Sequence, residues 1–397
     1  MTDDIILQVL EKKKLKRRRV LTAISAVLSC VITFVILYFL IFSANLPESA
    51  EAETIHAEIT EAFDATIFSD MDDALKQLYQ VKKVYWIEDG AQKAPKPDQT
   101  LFGETDDPAS LQWLLDEAAE LLEGQDTLFT TETVLMPGTK VRYYLDDTIL
   151  AITWKQIMGN FVYTISEVKI AHPSQFRRYL AGEEYDSFTL ATTSRMAQLT
   201  NSVVGTSADY YRGRRFGIIV YDGEVKRVDS PGYADTCYID KNGDLHFSYR
   251  GELMTAEDAQ KFVDERDIQF SLAFGPILVD NGVRCEPISY SIGEVNDKYS
   301  RAVLGQRDKL HYIVIAANHE RSYWNYQTIH ELAFYVEQLG CQKAYTLDGG
   351  NTGTITMNGQ VINRTEFGYE RILSDIIYFG TAIPNHSNTE KTSEVTP

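Results

Sequence analysis

The hexapeptide Asp348-Gly349-Gly350-Asn351-Thr352-Gly353 concentrates groups able to do chemistry. Closely spaced glycines let a backbone approach a ligand and turn its amide N–H groups toward an anion. Asn351 and Thr352 add neutral hydrogen-bonding side chains, and Asp348 sets a carboxylate at a strand end. This is not a nucleotide P-loop, because no Gly-Lys-Ser/Thr follows. Without context the plainer reading is a glycine-rich turn that Asp348 braces by accepting from backbone amides.

The elements around the loop follow from periodicity. Ala344–Leu347 reads as a strand that delivers the chain into Asp348, and His311–Ala317 (HYIVIAA) reads as a buried strand. Thr328 to Leu339 reads as a helix with a Thr328/Glu331 capping box and Gly340 as its terminator. That cap accounts for Glu331, and His311, His319 and His330 are isolated. From Thr131 the texture is β, with Met158-Gly159-Asn160, Asp222-Gly223 and Asn242-Gly243 marking turns. Thr255 to Arg266 reads as a short helix capped by Thr255. Upstream, Leu111, Leu114, Leu115, Ala118, Leu121 and Leu122 form one helical face ended by Gly124. Ala91 to Pro108, with its prolines and no period, reads as a loop. The expected class is α+β, a mixed sheet domain with flanking helices, preceded by a transmembrane helix and a small helical region.

Val20 to Phe42 is a 23-residue stretch without a charge. At about 1.5 Å per residue it spans a hydrocarbon core of roughly 30 Å. Seven positive side chains lie directly before it, in Lys12 to Arg19. Such flanks stay on the cytoplasmic side, so the mass after Ser43 is expected outside a cell membrane crossed once. The span exceeds the apolar core of about 7–15 residues of a cleaved signal peptide. Val27-Leu28-Ser29-Cys30 loosely resembles a lipoprotein cleavage site, but apolar residues continue past Cys30. The expected organisation is a basic tail at 1–19, the span at 20–42, a stalk and helical region at 43–130, a main domain at 131–384 and a disordered tail at 385–397. Beyond Ser43 there are 31 basic against 54 acidic residues, a net of −23. That field repels polyanions and argues against a nucleic-acid partner, so an anionic substrate needs a local basic pocket. Cys237, Cys285 and Cys341 are odd in number and fit no zinc spacing, leaving free thiols or one disulfide and one thiol.

Several blocks occur in a telling order: ADYYRGRRFGIIVYDGEV from Ala208, FGPILVDNG from Phe274, SRAVLGQRDKLHYIVI from Ser300, the Thr328–Asn363 stretch containing DGGNTG, and ERILSDIIYFG from Glu370. The series resembles the phosphodiester glycosidase family over roughly residues 160–380. The resemblance implies hydrolysis of a sugar–phosphate diester at the anomeric carbon, releasing a sugar and leaving a phosphomonoester. Phosphate charge is best held by a guanidinium and backbone amides, for which Arg301 and the amides of Gly349, Gly350, Asn351 and Thr352 are the candidates, with Arg212 as a second contact. Positive charge develops on the sugar, so Asp348 and Asp209 are the candidate carboxylates. A phosphate leaving group is weakly basic, so one carboxylate suffices. Tyr210 and Tyr211 offer an aromatic face, and on a strand only one of them faces the sugar. Plainer readings make Asp209 a surface acid and Arg301 a structural ion-pair partner.

Two departures from the family pattern stand out. The loop usually reads Asp-Gly-Gly-Gly-Ser-Ser, whereas Asn351-Thr352-Gly353 closes it here; Ser207-Ala208 stands before Asp209 where Asn-Gly is usual. The leading expectation is a membrane-anchored hydrolase acting on phosphate-linked glycans of the cell envelope, with no cofactor and no metal. Its rivals are a non-catalytic glycan-binding or envelope-assembly protein of the same fold, and metal-assisted phosphodiester hydrolysis. The second lacks a His/Asp cluster with ligand spacing.

Overall fold

The structure is a computed structural model that describes residues 86–88, 91–129, 140–158, 161–285, 300–318 and 327–383. The basic tail, the 20–42 span, most of the stalk and the C-terminal tail lie outside the described residues. No helix among the described residues is long and apolar enough to cross a membrane.

The strands in chain order begin with β1 (Phe102–Thr105), β2 (Val141–Asp146), β3 (Ile149–Met158), β4 (Phe161–Ile170), β5 (Phe176–Leu180), β6 (Val204–Ser207) and β7 (Gly217–Tyr221). Next come β8 (Glu224–Asp229), β9 (Thr236–Asp240), β10 (Leu245–Ser248), β11 (Ile268–Leu272), β12 (Ile277–Asp280) and β13 (Val283–Arg284). The last are β14 (Arg301–Asp308), β15 (His311–Asn318), β16 (Lys343–Leu347), β17 (Ile355–Met357), β18 (Gln360–Val361) and β19 (Asp375–Phe379). The helices longer than one turn among the described residues are α1 (Pro108–Glu117), α2 (Thr193–Leu199), α3 (Ala256–Glu265) and α4 (Ile329–Gln338).

A nine-stranded sheet has the order β1-β2-β3-β4-β15-β14-β16-β12-β13; two five-stranded sheets run β10-β9-β11-β7-β8 and β18-β17-β6-β19-β5. The expected α+β class is seen, and among the described residues it is dominated by sheet, with few helices. Every ladder between these strands is antiparallel, so the described strands are joined without the parallel crossover that a mixed sheet contains.

The large sheet is covered on both faces, which explains its apolar runs. Along β15, Ile313, Ile315 and Ala317 join a core with Leu111 and Leu114 of α1 and Leu332 and Val336 of α4. The alternate residues Tyr312, Val314 and Ala316 join a second core with Phe176, Val204, Ile377 and Phe379 from the sheet containing β6 and β19, and Cys237, Leu245 and Leu272 from the sheet containing β9. A strand's two-residue period produces this division, and a one-residue slip would exchange the cores.

The expected punctuation is present. Thr328 Oγ1 accepts from Glu331 N at 3.3 Å while Glu331 returns a carboxylate to Thr328 N at 2.8 Å, and Gly340 has φ +72°. Thr255 caps α3, and Asp222 and Gly223, both at positive φ, join β7 to β8. The expected helix near Leu111 is α1 followed by a single turn at Ala119–Leu122, ended by Glu123 and Gly124 at positive φ. One expectation is corrected: the Ala91–Pro108 loop contains β1, which pairs with β2 and sets Phe102 4.5 Å from the Tyr144 ring. A four-residue edge strand carries too little period to stand out in sequence. Cys237, Cys285 and Cys341 are free thiols, and burial pushes that of Cys341 up to about 12.

Candidate active site

Asp348 leaves the end of β16 in the middle of the large sheet. Ala302 of β14 pairs with Leu347 of β16, so continuing the register by one residue sets Arg301 beside Asp348. Asp348 N donates to Ala208 O at 3.1 Å, and Ser207 Oγ donates to Asp348 O at 2.9 Å. The end of β6 thus holds the Asp348 backbone, and Ser207, one of the two departures from the family pattern, supplies half of the grip.

The glycines are required by close approach. A Cβ on Gly349 would lie 2.4 Å from Ser300 O and 3.2 Å from Arg301 Cα. Gly350 has φ +60°, and its amide donates to Ser300 O at 2.9 Å. Thr352 N donates to Gly349 O at 3.1 Å and Gly353 N to Gly350 O at 3.2 Å. The amides of residues 352 and 353 therefore serve the loop itself, and those of 348 and 350 tie it to Ala208 and Ser300. The expected amide cradle for a phosphate is reduced accordingly, because a turn packed this tightly finds backbone acceptors for its donors within itself and in the neighbouring segments.

Asp348 is almost enclosed, with 5% of its surface exposed. Arg371 Nη2 lies 2.6 Å from its Oδ2. Burial pushes the Asp348 carboxyl above its ordinary range, opposed by the Arg371 charge, Thr352, the Arg371 hydrogen bond and the charge of Arg214. Arg371 also lies across Tyr210, with its guanidinium carbon 4.8 Å from the ring centroid. Arg214 is buried and stacked over Phe274 at 4.2 Å.

Asn351 holds the segment that carries Arg371. Its Oδ1 accepts from Phe367 N at 2.7 Å, and its carbonyl accepts from Arg371 N at 3.3 Å. Next to Arg371, the Glu370 carboxylate accepts from Ser194 N at 2.9 Å and from Ser194 Oγ at 2.5 Å, at the start of α2. Asn351, the other departure from the family loop, thus makes its hydrogen bonds to the protein. Thr352 is buried and donates its hydroxyl to Gly349 O at 2.5 Å.

Asp209 is placed otherwise than expected. It is 1% exposed, its Oδ2 accepts from Ala273 N at 2.7 Å, and Arg178 Nη2 lies 3.8 Å away. Arg178 reaches Asp375 at 2.8 Å from the same nitrogen. Two carboxylates and one guanidinium therefore share the interior, and Asp375 is pushed up to about 7 by burial, against the pull of Arg178 and with the repulsion of Asp209. Tyr211 is buried on this side, with Arg178 5.3 Å from its ring and Tyr185 stacked at 5.4 Å. Tyr210 is the tyrosine on the Asp348 side. Arg212 donates to Tyr185 O at 2.6 Å and stands over Phe188 at 4.8 Å, so it belongs to the Tyr185–Phe188 loop. Arg301 is buried at the start of β14.

Sequence reasoning singled out neither Arg371 nor Arg214. Both lay within the blocks that carry the family resemblance, yet an arginine in such a block has no spacing signal. Only the fold brings Arg371 back across 23 residues to Asp348. Among the described residues no group of three or more His, Cys, Asp and Glu side chains is arranged to hold a metal ion.

Residues 200–380 match the family profile for phosphodiester glycosidase, a start further along the chain than the expected 160. The SPbeta prophage-derived uncharacterized protein YomE of Bacillus subtilis (strain 168) is 26% identical over 191 residues. That match covers 47% of this chain and 29% of the relative, so the chain spans less than a third of the relative's length. Among solved structures, the zebrafish N-acetylglucosamine-1-phosphodiester alpha-N-acetylglucosaminidase catalytic domain, auto-inhibited by its pro-peptide, is similar with a TM-score of 0.47 and 14% identity, covering 73% of this chain and 87% of that one. A hypothetical protein from Synechocystis is similar with a TM-score of 0.42 and 14% identity, covering 63% and 64%. The matched segment contains Asp209, Arg214, Arg301, the Asp348–Gly353 loop and Arg371, and it is the part of the chain in which most of the motif series lies.

Proposed function

We propose that the chain is a membrane-anchored, extracytoplasmic hydrolase that cleaves the glycosidic bond of a sugar–phosphate diester in surface or cell-wall glycopolymers. The observation that carries the chemistry is the Arg371–Asp348 pair at the mouth of a nearly enclosed carboxylate. In a chain of net charge −19, Arg371 and Arg214 both act on this one carboxylate, so two guanidinium groups gather where anions are otherwise repelled. A phosphodiester carries one negative charge, and a guanidinium fork is the side chain best shaped to hold it. Arg371 Nε is shielded from solvent and finds no acceptor among the described residues, a donor that a phosphate oxygen would satisfy.

In this reading Arg371 and Arg214 hold the phosphate, Tyr210 presents a ring edge or face to the sugar, and Asp348 offsets positive charge developing at the anomeric carbon. The bond between that carbon and the bridging oxygen breaks, and its electron pair leaves on the phosphate. Asp209, Tyr211 and Arg178 support the floor. Anchoring rests on the Val20–Phe42 hydropathy and the Lys12–Arg19 flank. Tethering would keep the domain within reach of envelope polymers.

The test uses full-length protein in detergent with a panel of chromogenic sugar-1-phosphodiesters. Sugar release by the wild type, abolished in Asp348→Ala, is expected. No release above that variant for any sugar would overturn the reading in favour of glycan binding without turnover.

A further inference from the structure

We propose that Glu366 is a second catalytic carboxylate of the same site, the base that takes the proton from the attacking water. The inference rests on the hydrolase reading above.

Glu366 Oε2 stands 2.9 Å from the point that a Cβ on Gly350 would occupy. The space left by the missing side chain is therefore filled by a carboxylate from elsewhere in the chain. Gly350 lies two residues after Asp348, so carboxylates from two segments, one nearly enclosed and the other half-buried, meet the same tight corner. The segment bringing Glu366 is fixed independently. Phe367 N donates to the Asn351 side chain, Gly368 N donates to Thr365 O at 3.2 Å, and Thr365 is buried. Asn351 thus positions Glu366 and Arg371 together, through its side chain and its carbonyl respectively.

The environments divide the labour. Asp348 is bound to Arg371, short of solvent, and suited to stabilising charge on the sugar. Glu366 is only half-buried and its chain neighbour Phe367 is more than half exposed, so solvent reaches this side of the corner. Two carboxylates in unlike surroundings are the arrangement that lets one site run both roles. In the step, the water oxygen bonds to the anomeric carbon and the carbon–oxygen bond to phosphate breaks. The electron pair leaves with the phosphomonoester, and the water proton passes to Glu366 and on to solvent. Nothing is oxidised or reduced. The weakly basic phosphate needs no proton donor, so Glu366 is required only on the water side.

The experiment compares wild type, E366Q and E366A as full-length protein on the best diester found in the panel, with thermal unfolding to confirm folding. E366Q, the isostere, is expected to lower kcat by about 10²–10⁴-fold with KM little changed, and to lose the acid-side limb of the pH–rate profile. Azide needs no deprotonation, so it is expected to restore turnover in E366A and yield a glycosyl azide. A merely structural role would give neither azide rescue nor selective loss of the limb. Wild-type turnover with E366Q within tenfold of it, or a folded E366A that azide does not rescue, overturns the assignment and leaves the hydrolase reading standing. A wild type that releases no sugar overturns both.

Discussion

Arg371 Nη2 and Asp348 Oδ2 lie 2.6 Å apart, and the same guanidinium lies across the Tyr210 ring. One side chain thus joins a strand-end carboxylate to an aromatic face from the upstream block. The pair also sets the electrostatics of the site, because the Arg371 charge is the largest effect opposing burial at Asp348. If Arg371 holds phosphate, its planar fork is essential and a point charge cannot replace it. Arg371→Lys is expected to lower kcat/KM by about 10²-fold, mostly through KM, and Arg371→Ala by more. Steady-state kinetics on the preferred diester checks this, and a lysine variant within threefold of wild type contradicts the clamp.

The loop glycines divide by geometry. A methyl on Gly349 meets Ser300 O at 2.4 Å and Arg301 Cα at 3.2 Å, both of them backbone atoms where β14 begins. Gly353 has φ −63° and its added Cβ would stand 3.3 Å from the nearest atom. Gly349→Ala is therefore expected to destabilise by about 1–3 kcal/mol, with Gly353→Ala costing less than about 1. Denaturant titration of the two variants decides it; equal costs would mean that the Ser300 contact yields without penalty.

Much of this was legible in the sequence, for identifiable reasons. β15 shows as an unbroken apolar run because both its faces are covered. The ends of α4 show because Thr328, Glu331 and Gly340 satisfy or end a helix through local bonds. Asp348 shows because glycines crowd around it. Arg371 and Glu366 do not show, since their roles depend on Asn351 holding a distant segment, and a lone Asn announces no partner. For Asp209 it is the plainer surface-acid reading that fails. A single acid before two tyrosines carries no burial signal, and the turn after β6 takes it inward to Arg178 and Ala273.

That inward placement has a consequence for Asp209. Substituting Asn keeps an oxygen for Ala273 N and leaves the Arg178–Asp375 pair intact. Asp209→Asn is expected to retain turnover within about tenfold, whereas Asp348→Asn loses it. Arg178→Met strands two buried carboxylates and is expected to cost about 3–5 kcal/mol. Turnover and denaturant midpoints of the three variants separate support from catalysis. Loss in Asp209→Asn equal to that in Asp348→Asn would return Asp209 to the chemistry.

Buried carboxyls also fix how stability should respond to pH. Asp375 and Asp244 are both pushed up to about 7, chiefly by burial, and Asp348 and Asp235 are raised as well. A raised acid binds its proton more tightly folded than unfolded, so its contribution is whole below the unfolded value near about 4. For Asp375 and Asp244 that contribution is lost as pH rises from about 4 through about 7. The depressed acids Asp98, Asp107 and Glu224 act in the opposite sense, but they are fully exposed and screened. The described domain is therefore expected to be more stable at pH 5 than at pH 8. Asp375→Asn should flatten that slope, since it removes one of the titrating carboxyls and leaves Asp209 beside Arg178. Thermal unfolding of wild type and variant between pH 5 and pH 8 reads this directly. A wild-type midpoint that climbs steadily with pH over that range would mean that the interior acids are ionised at little cost.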